Sequence, residues 1–125
     1  MNLLINLIIL LLIAWCIGYE REHHNHVVGF RSIALVLLGS FMYTHVSTLI
    51  GGDPARIVAQ IVTGVGFIGA GMIFKYDSRS IFNLTTAILI WTLSAVGVLL
   101  GLNYKLEAII TAVIIFFILS FKKQS

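Results

Sequence analysis

The chain has 125 residues, of which 59% are hydrophobic and only 10% are charged, and its mean hydropathy is +1.04. A soluble domain carries charge on about 25% of its residues, so this chain has too little polar surface to coat a water-facing globule. The net charge of +3 comes from basic residues that lie singly or in one pair between apolar runs, which excludes a basic patch for nucleic acid. The single cysteine excludes an intrachain disulfide, and we expect Cys16 to be a small packing residue.

Five apolar stretches approach the length of about 20 helical residues that a bilayer core requires. The predicted spans are Leu3 to Gly18, about Ser32 to Ile50, about Ile57 to Phe74, about Leu84 to Leu100 and about Leu106 to Phe121. The first lacks a basic start and a small-x-small cleavage site, so we interpret it as a retained helix rather than a secretion signal. The sequence therefore predicts an all-α fold, a polytopic bundle of about five transmembrane helices that forms one domain over residues 1–125.

The distribution of Lys and Arg in the short loops predicts the orientation of these spans. With five spans, one side of the membrane holds Arg21, Arg31, Lys75, Arg79, Lys122 and Lys123, and the other holds Arg56 and Lys105. The more basic side is normally cytoplasmic. The sequence therefore predicts a cytoplasmic C-terminus and an external N-terminus.

Charged residues cluster where the first span ends and the second begins. Glu20, Arg21 and Glu22 close the first span, and Arg31 opens the second. Charges at helix ends often extend to the headgroups, whereas carboxylates beside guanidiniums can also bind a cation or form a buried ionic network. We expect Glu20 or Glu22 to pair with Arg31 across the two spans.

The third span opens with Asp53-Pro54-Ala55-Arg56. Asp is favoured as the cap before a helix and Pro as its first residue, which explains Asp53 and Pro54. Arg56 lies in the first turn, where the helix dipole disfavours a cation, and we expect it to face Asp53, three residues away. Gln60 follows on the same face. A charge embedded in a membrane is a candidate functional residue, so Arg56 is open to a role beyond capping.

Four glycines within eight residues mark the third span. Each glycine costs about 1 kcal/mol in a helix interior relative to Ala, so the cluster needs a physical reason. Close helix packing is one, and a broken helix that lines an ion or substrate site is the other. The small residues are Gly64, Gly66, Gly69, Ala70 and Gly71, and Gly97 and Gly101 form a second small-residue face in the fourth span.

The remaining polar candidates carry weaker signals. Thr85 and Thr86 open the fourth span, where threonine hydroxyls either bond the backbone or serve a function. Three histidines beside Glu22 could bind a transition metal, but they lack the i, i+4 spacing of a helical site and also fit a solvated loop: His23, His24 and His26. No serine or cysteine nucleophile stands beside a base. We therefore expect neither an enzyme nor a bound cofactor.

Three ordered motifs make the chain resemble the MgtC/SapB family. They are Gly18-Tyr19-Glu20-Arg21-Glu22 with Val28-Gly29-Phe30-Arg31-Ser32 and Ala34-Leu35-Val36, then the whole of residues 53–71, then Leu84-Thr85-Thr86-Ala87 with Trp91, Gly97 and Gly101. The resemblance covers residues 18–101. The chain departs from it at Phe82-Asn83, where the family usually has Arg-Gly, and at Ser125, where virulence-type members continue into a soluble cytoplasmic domain.

The resemblance implies a bacterial inner-membrane protein linked to magnesium limitation. Some members support survival inside macrophages, and members are thought to modulate other membrane proteins, including the ATP synthase, rather than to transport magnesium. The abundant small-residue faces also predict a homodimer or small homo-oligomer in the lipid bilayer, with the third or fourth span near the interface. The alternative is an ion or small-solute transport element that uses the charged helix ends and the glycine-rich span.

Overall fold

A computed structural model describes residues 2–23, 29–75 and 81–121 of the chain. Within those residues the protein consists of five α-helices and no strand. The helices are α1 (Leu3–His23), α2 (Phe30–Leu49), α3 (Pro54–Lys75), α4 (Ile81–Gly101) and α5 (Lys105–Ser120). The predicted all-α membrane fold is confirmed.

Four of the described helices are long and apolar enough to cross a membrane. The spanning segments are Leu3–Glu22, Phe30–Leu49, Pro54–Ile73 and Leu84–Gly101. The 16 residues of α5 rise about 24 Å, which is short of the roughly 30 Å of a typical hydrocarbon core. A complete crossing by α5 therefore stays a prediction.

The centre of the bundle is the contact between α2 and α4. α1 packs against α2, and α3 and α5 pack against α4. Leu37 and Phe41 of α2 and Leu93, Val96 and Leu100 of α4 are fully buried in the core. α4 is consequently the most enclosed spanning helix, with 61% of its span buried, whereas α3 is the most open, with only 17%.

The helix bundle has two ends, and each is named after one of its residues. The Glu20 end holds the last turn of α1 and the first turn of α2, because the Glu22 side chain bonds the Phe30 backbone. The Asn103 end holds the start of α1, the end of α2 and the turn from α4 to α5. Asn103 adopts φ 70° in that turn, a left-handed conformation that Asn tolerates at helix C-termini.

Large apolar side chains cover the outside of the bundle. Trp15, Tyr43 and Phe117 are each more than half exposed, and Phe67 is 80% exposed. A water-soluble monomer rarely exposes apolar surface on this scale, whereas lipid tails solvate it. Cys16 is also exposed on the outside of the bundle, so the prediction that it is a small packing residue is wrong.

Candidate functional site

A buried ion pair lies at the Glu20 end. The Arg21 Nε donates a hydrogen bond to Glu20 Oε1 at 2.9 Å, and the two side chains are only 1% and 9% exposed. A guanidinium removed from solvent needs a countercharge, and its sequence neighbour supplies one. The Arg21 Nη1 nitrogen is buried with no hydrogen-bond partner in the described part of the chain. This end therefore concentrates charge that is withheld from water.

Glu22 joins the first two helices at the same end. Its Oε2 accepts the Phe30 backbone N–H at 3.0 Å, and such first-turn donors of a helix have no partner within the helix. The backbones are close here: a methyl group on Gly18 would lie 2.6 Å from the Phe30 Cα, and one on Gly29 would lie 2.5 Å from Glu22 Oε2. The two glycines permit the contact that lets Glu22 cap α2.

The predicted pairing of Arg31 with Glu20 or Glu22 is wrong. Glu20 pairs with Arg21, Glu22 bonds the Phe30 backbone, and Arg31 is exposed. The buried face of α2 begins at Ile33, and a residue two positions earlier is turned roughly 200° around the helix. Arg31 therefore points away from the buried face of α2.

Asp53 caps α3, as its position predicts. Asp53 Oδ1 accepts the Ala55 N–H at 3.1 Å, and the Asp53 carbonyl accepts the Arg56 N–H at 3.0 Å. The expected ion pair between Asp53 and Arg56 is absent from the described residues, because this carboxylate turns towards the backbone. Arg56 and Gln60 are both exposed on α3.

The tightest glycine contacts lie in α4, against α2. A methyl group on Gly97 would lie 2.7 Å from the Leu37 carbonyl oxygen, and one on Gly101 would lie 2.6 Å from the Thr44 Cβ. Ordinary contacts begin at about 3.4 Å, so at both positions the two helices approach more closely than a side chain allows.

The glycines of α3 are in more open surroundings. A methyl group on Gly69 would lie 3.4 Å from the Ala87 carbonyl and one on Gly66 would lie 3.8 Å from Trp91. At Gly64 and Gly71, only the adjacent residues and the backbone of α3 itself come within 4 Å of that position. Ala70 is exposed. α3 runs without interruption through all of them, so the broken-helix alternative is wrong.

The other predicted candidates do not converge on one site. Thr86 is buried and Thr85 is half-buried in the first turns of α4. The side chains of His23, His24 and His26 lie outside the described residues. Among the described residues, no group of three His, Cys, Asp or Glu side chains is arranged to hold a metal ion.

Sequence reasoning missed a polar cluster at the Asn103 end. Asn103 Oδ1 accepts hydrogen bonds from Asn6 Nδ2 at 3.2 Å and from Lys105 Nζ at 2.5 Å. Asn6, Thr44 and Ser47 are all buried, and Asn6 Oδ1, Thr44 Oγ1 and Ser47 Oγ have no hydrogen-bond partner in the described part. Two sequence signals could have revealed this cluster. Asn6 is a polar residue inside the most apolar stretch, and Thr44 and Ser47 are polar residues three positions apart on α2.

A second missed feature is an outward-open groove between α2 and α3. Its volume is about 510 Å³. Its walls are mainly apolar and are formed by Leu35, Val36, Gly39, Ser40, Tyr43, Ile57, Gln60, Ile61, Gly64, Val65 and Ile68. The groove is present because α3 packs more extensively against α4 than against α2. Sequence periodicity shows the faces of single helices but not the angle between them.

The sequence of the chain is similar to those of known proteins. A sequence model of the MgtC family matches residues 7–125, which is nearly the whole chain. The chain belongs to the MgtC family. Protein MgtC of Brucella abortus (strain 2308) is 40% identical over 106 residues, covering 83% of this chain and 44% of that protein. Protein MgtC of Salmonella typhimurium (strain LT2) is 36% identical over 113 residues, covering 90% of this chain and 48% of that protein.

The chain spans about half the length of the curated relatives it matches. An uncharacterized protein of Haemophilus influenzae shows the same relation, with 34% identity over 110 residues and 46% of its length covered. No solved structure matches the chain significantly. The family resemblance of the three motifs is therefore confirmed for the part of these proteins that the chain covers.

Proposed function

We propose that this MgtC-family protein lies in the bacterial inner membrane and acts under magnesium limitation by modulating partner membrane proteins. The family match and the relatives named Protein MgtC support the link to magnesium. A membrane complex such as the ATP synthase is the class of partner that the family resemblance suggests. The bundle carries out this role without enzymatic chemistry.

One observation favours modulation over cation transport: three carboxylates at the helix ends are engaged with the protein itself. Glu20 pairs with Arg21, Glu22 bonds the Phe30 N–H, and Asp53 bonds the Ala55 N–H. Transport sites keep carboxylates or carbonyl oxygens open to a water-filled cavity near the midplane. Here the three carboxylates order helix ends, which suits a rigid bundle that binds other helices.

The proposed orientation places the C-terminus in the cytoplasm and the N-terminus outside. It follows from the excess of Lys and Arg on one side of the spans. The Glu20 end then faces the cytoplasm and the Asn103 end faces the exterior.

Two measurements on the full chain test this function. Purified protein in liposomes that contain a Mg²⁺-sensitive dye should give no Mg²⁺ entry above that of protein-free liposomes. A deletion strain should grow poorly at low Mg²⁺, and the intact chain should restore its growth. Protein-dependent Mg²⁺ flux that Glu22→Gln abolishes, with helix content unchanged, would overturn modulation in favour of the transport alternative.

A further inference from the structure

The outward surface of α3 carries a continuous exposed stripe. Its residues are spaced by four and three positions along the helix, and we call this stripe the α3 outer face: Arg56, Gln60, Thr63, Phe67 and Ala70. All five are exposed, and Phe67 is the most exposed large apolar residue of the chain's described part at 80%. No described helix covers this face.

The α3 outer face is too polar for lipid. α3 begins at Pro54, so Gln60 lies about 9 Å and Thr63 about 13 Å along the helix, inside a hydrocarbon core roughly 30 Å thick. An amide exposed there has no water to bond, and polar residues of membrane helices normally face another helix. Arg56 forms no ion pair within the described residues. A protein surface, rather than acyl chains, should cover this face.

The groove beside this face can admit a helix backbone. Gln60 and Gly64 line it from α3, and Gly39 lines it from α2. At positions 39 and 64, no atom of another helix lies within 4 Å of where a side chain would begin. Glycines that face open space on two neighbouring helices allow a third helix to approach closely.

We propose that the α3 outer face and this groove bind α3 of a second copy of the chain, in a dimer whose two-fold axis follows the membrane normal. Such an axis sets residues of equal depth opposite each other, and each contact occurs twice. Asp53 and Arg56 are exposed and three residues apart, which is about 4.5 Å along the helix. Arg56 can therefore reach Asp53 of the partner subunit, and the reverse pair forms as well.

The second copy also satisfies the amide in the membrane. A glutamine side chain carries both donors and an acceptor, so Gln60 can bond its own counterpart at the same depth. An acyl chain would fill the groove but could not bond Gln60. An unrelated helix would need a matching polar group at this depth and an acidic group near Arg56, both of which a second copy supplies. The proposal does not depend on the role in magnesium limitation.

Cysteine cross-linking in pure liposomes tests the dimer. In a Cys16→Ser background, Gln60→Cys is compared with Ile110→Cys, which is exposed on α5 at a similar distance from its helix start. At a low protein-to-lipid ratio, oxidation with copper phenanthroline should yield at least tenfold more covalent dimer for Gln60→Cys. Equal yields from both positions, or no dimer from Gln60→Cys, would overturn the proposal.

Charge variants and native membranes separate the other possible occupants. Adding Arg56→Asp to Gln60→Cys should lower the dimer yield at least tenfold, because acidic side chains then face each other, and the additional change Asp53→Arg should restore it. Helix content verifies that loss of the Asp53 cap has not unfolded the chain. An unchanged yield with Arg56→Asp, or cross-linking of Gln60→Cys only to another protein in native membranes, would contradict a self-pairing face.

Discussion

Replacing Gly97 by Ala tests how closely α2 and α4 pack. The added methyl group would lie 2.7 Å from both the Leu37 carbonyl oxygen and the Ser40 Cβ, and 3.2 Å from the Phe41 nitrogen. Ordinary contact begins at 3.4 Å, so α2 would have to move by about 0.7 Å. Neither a carbonyl oxygen nor a Cβ atom can rotate away, because both are held by the helix backbone. The strain therefore falls on the central helix pair of the bundle.

The expected loss of stability follows from two opposing effects. Overpacking a well-packed interior costs about 1–3 kcal/mol, and contacts with rigid atoms on two residues place Gly97→Ala in the upper part of that range. Replacing Gly by Ala in a helix returns about 1 kcal/mol through backbone entropy. We expect a net decrease of about 1–2 kcal/mol in the free energy of unfolding.

Gly66→Ala is the matched control, because Gly66 also lies mid-helix and faces a neighbouring helix. Its added methyl group would lie 3.8 Å from the nearest atom, in the Trp91 ring, which is an ordinary contact. Only the entropic gain should then remain, up to about 1 kcal/mol. The two variants should shift stability in opposite directions, as measured by circular dichroism during unfolding with rising SDS in mixed micelles. If Gly97→Ala instead gains stability like Gly66→Ala, the close approach of α2 and α4 is wrong.

Three further predictions concern the charged residues and the topology. Arg21→Ala should destabilise the fold by about 3–5 kcal/mol, because it removes the cation that pairs with the buried Glu20 carboxylate. Arg31→Ala should change stability by less than about 0.5 kcal/mol, because Arg31 is exposed. Both changes are measured by the same unfolding titration. Arg56→Ala should impair growth rescue at low Mg²⁺ while Arg56→Lys retains it, because the exposed side chain acts through its charge. Reporter fusions at Ser125 and near Asp53 should lie on opposite sides of the membrane, as scored by paired cytoplasmic and periplasmic reporters.

A specific experimental result would contradict each of these three predictions. Equal losses in the free energy of unfolding for Arg21→Ala and Arg31→Ala would mean that the ion pair between Arg21 and Glu20 is not buried. Full growth rescue by both position-56 variants, with normal expression, would show that this charge has no role. Both reporters on one side would contradict the proposed topology, as would happen if α5 does not cross the membrane.

Local sequence signals predicted the elements of this protein well, because a membrane imposes its length and polarity on each helix separately. Apolar runs identified all five helices, and the turn residues between them marked the breaks. The position of Asp53 directly before Pro54 predicted that Asp53 caps α3, since a helix cap depends only on the next few residues. Family membership also came from local motifs.

Partners across the bundle depended on helix rotation and tilt, which local sequence does not specify. The rotation of α2 turned Arg31 outward and left Glu20 to pair with its neighbour Arg21. The packing of α3 mainly against α4 left Gly64 in open space beside a groove, while Gly97 in α4 took the close contact with α2. The hydrogen bond between the buried Asn6 and the exposed Asn103 joins residues 97 positions apart. The sequence by itself determined which segments form helices in lipid. Only the packing of those helices decided which polar groups meet, because lipid-embedded helices share similar apolar faces and small residues set their contacts.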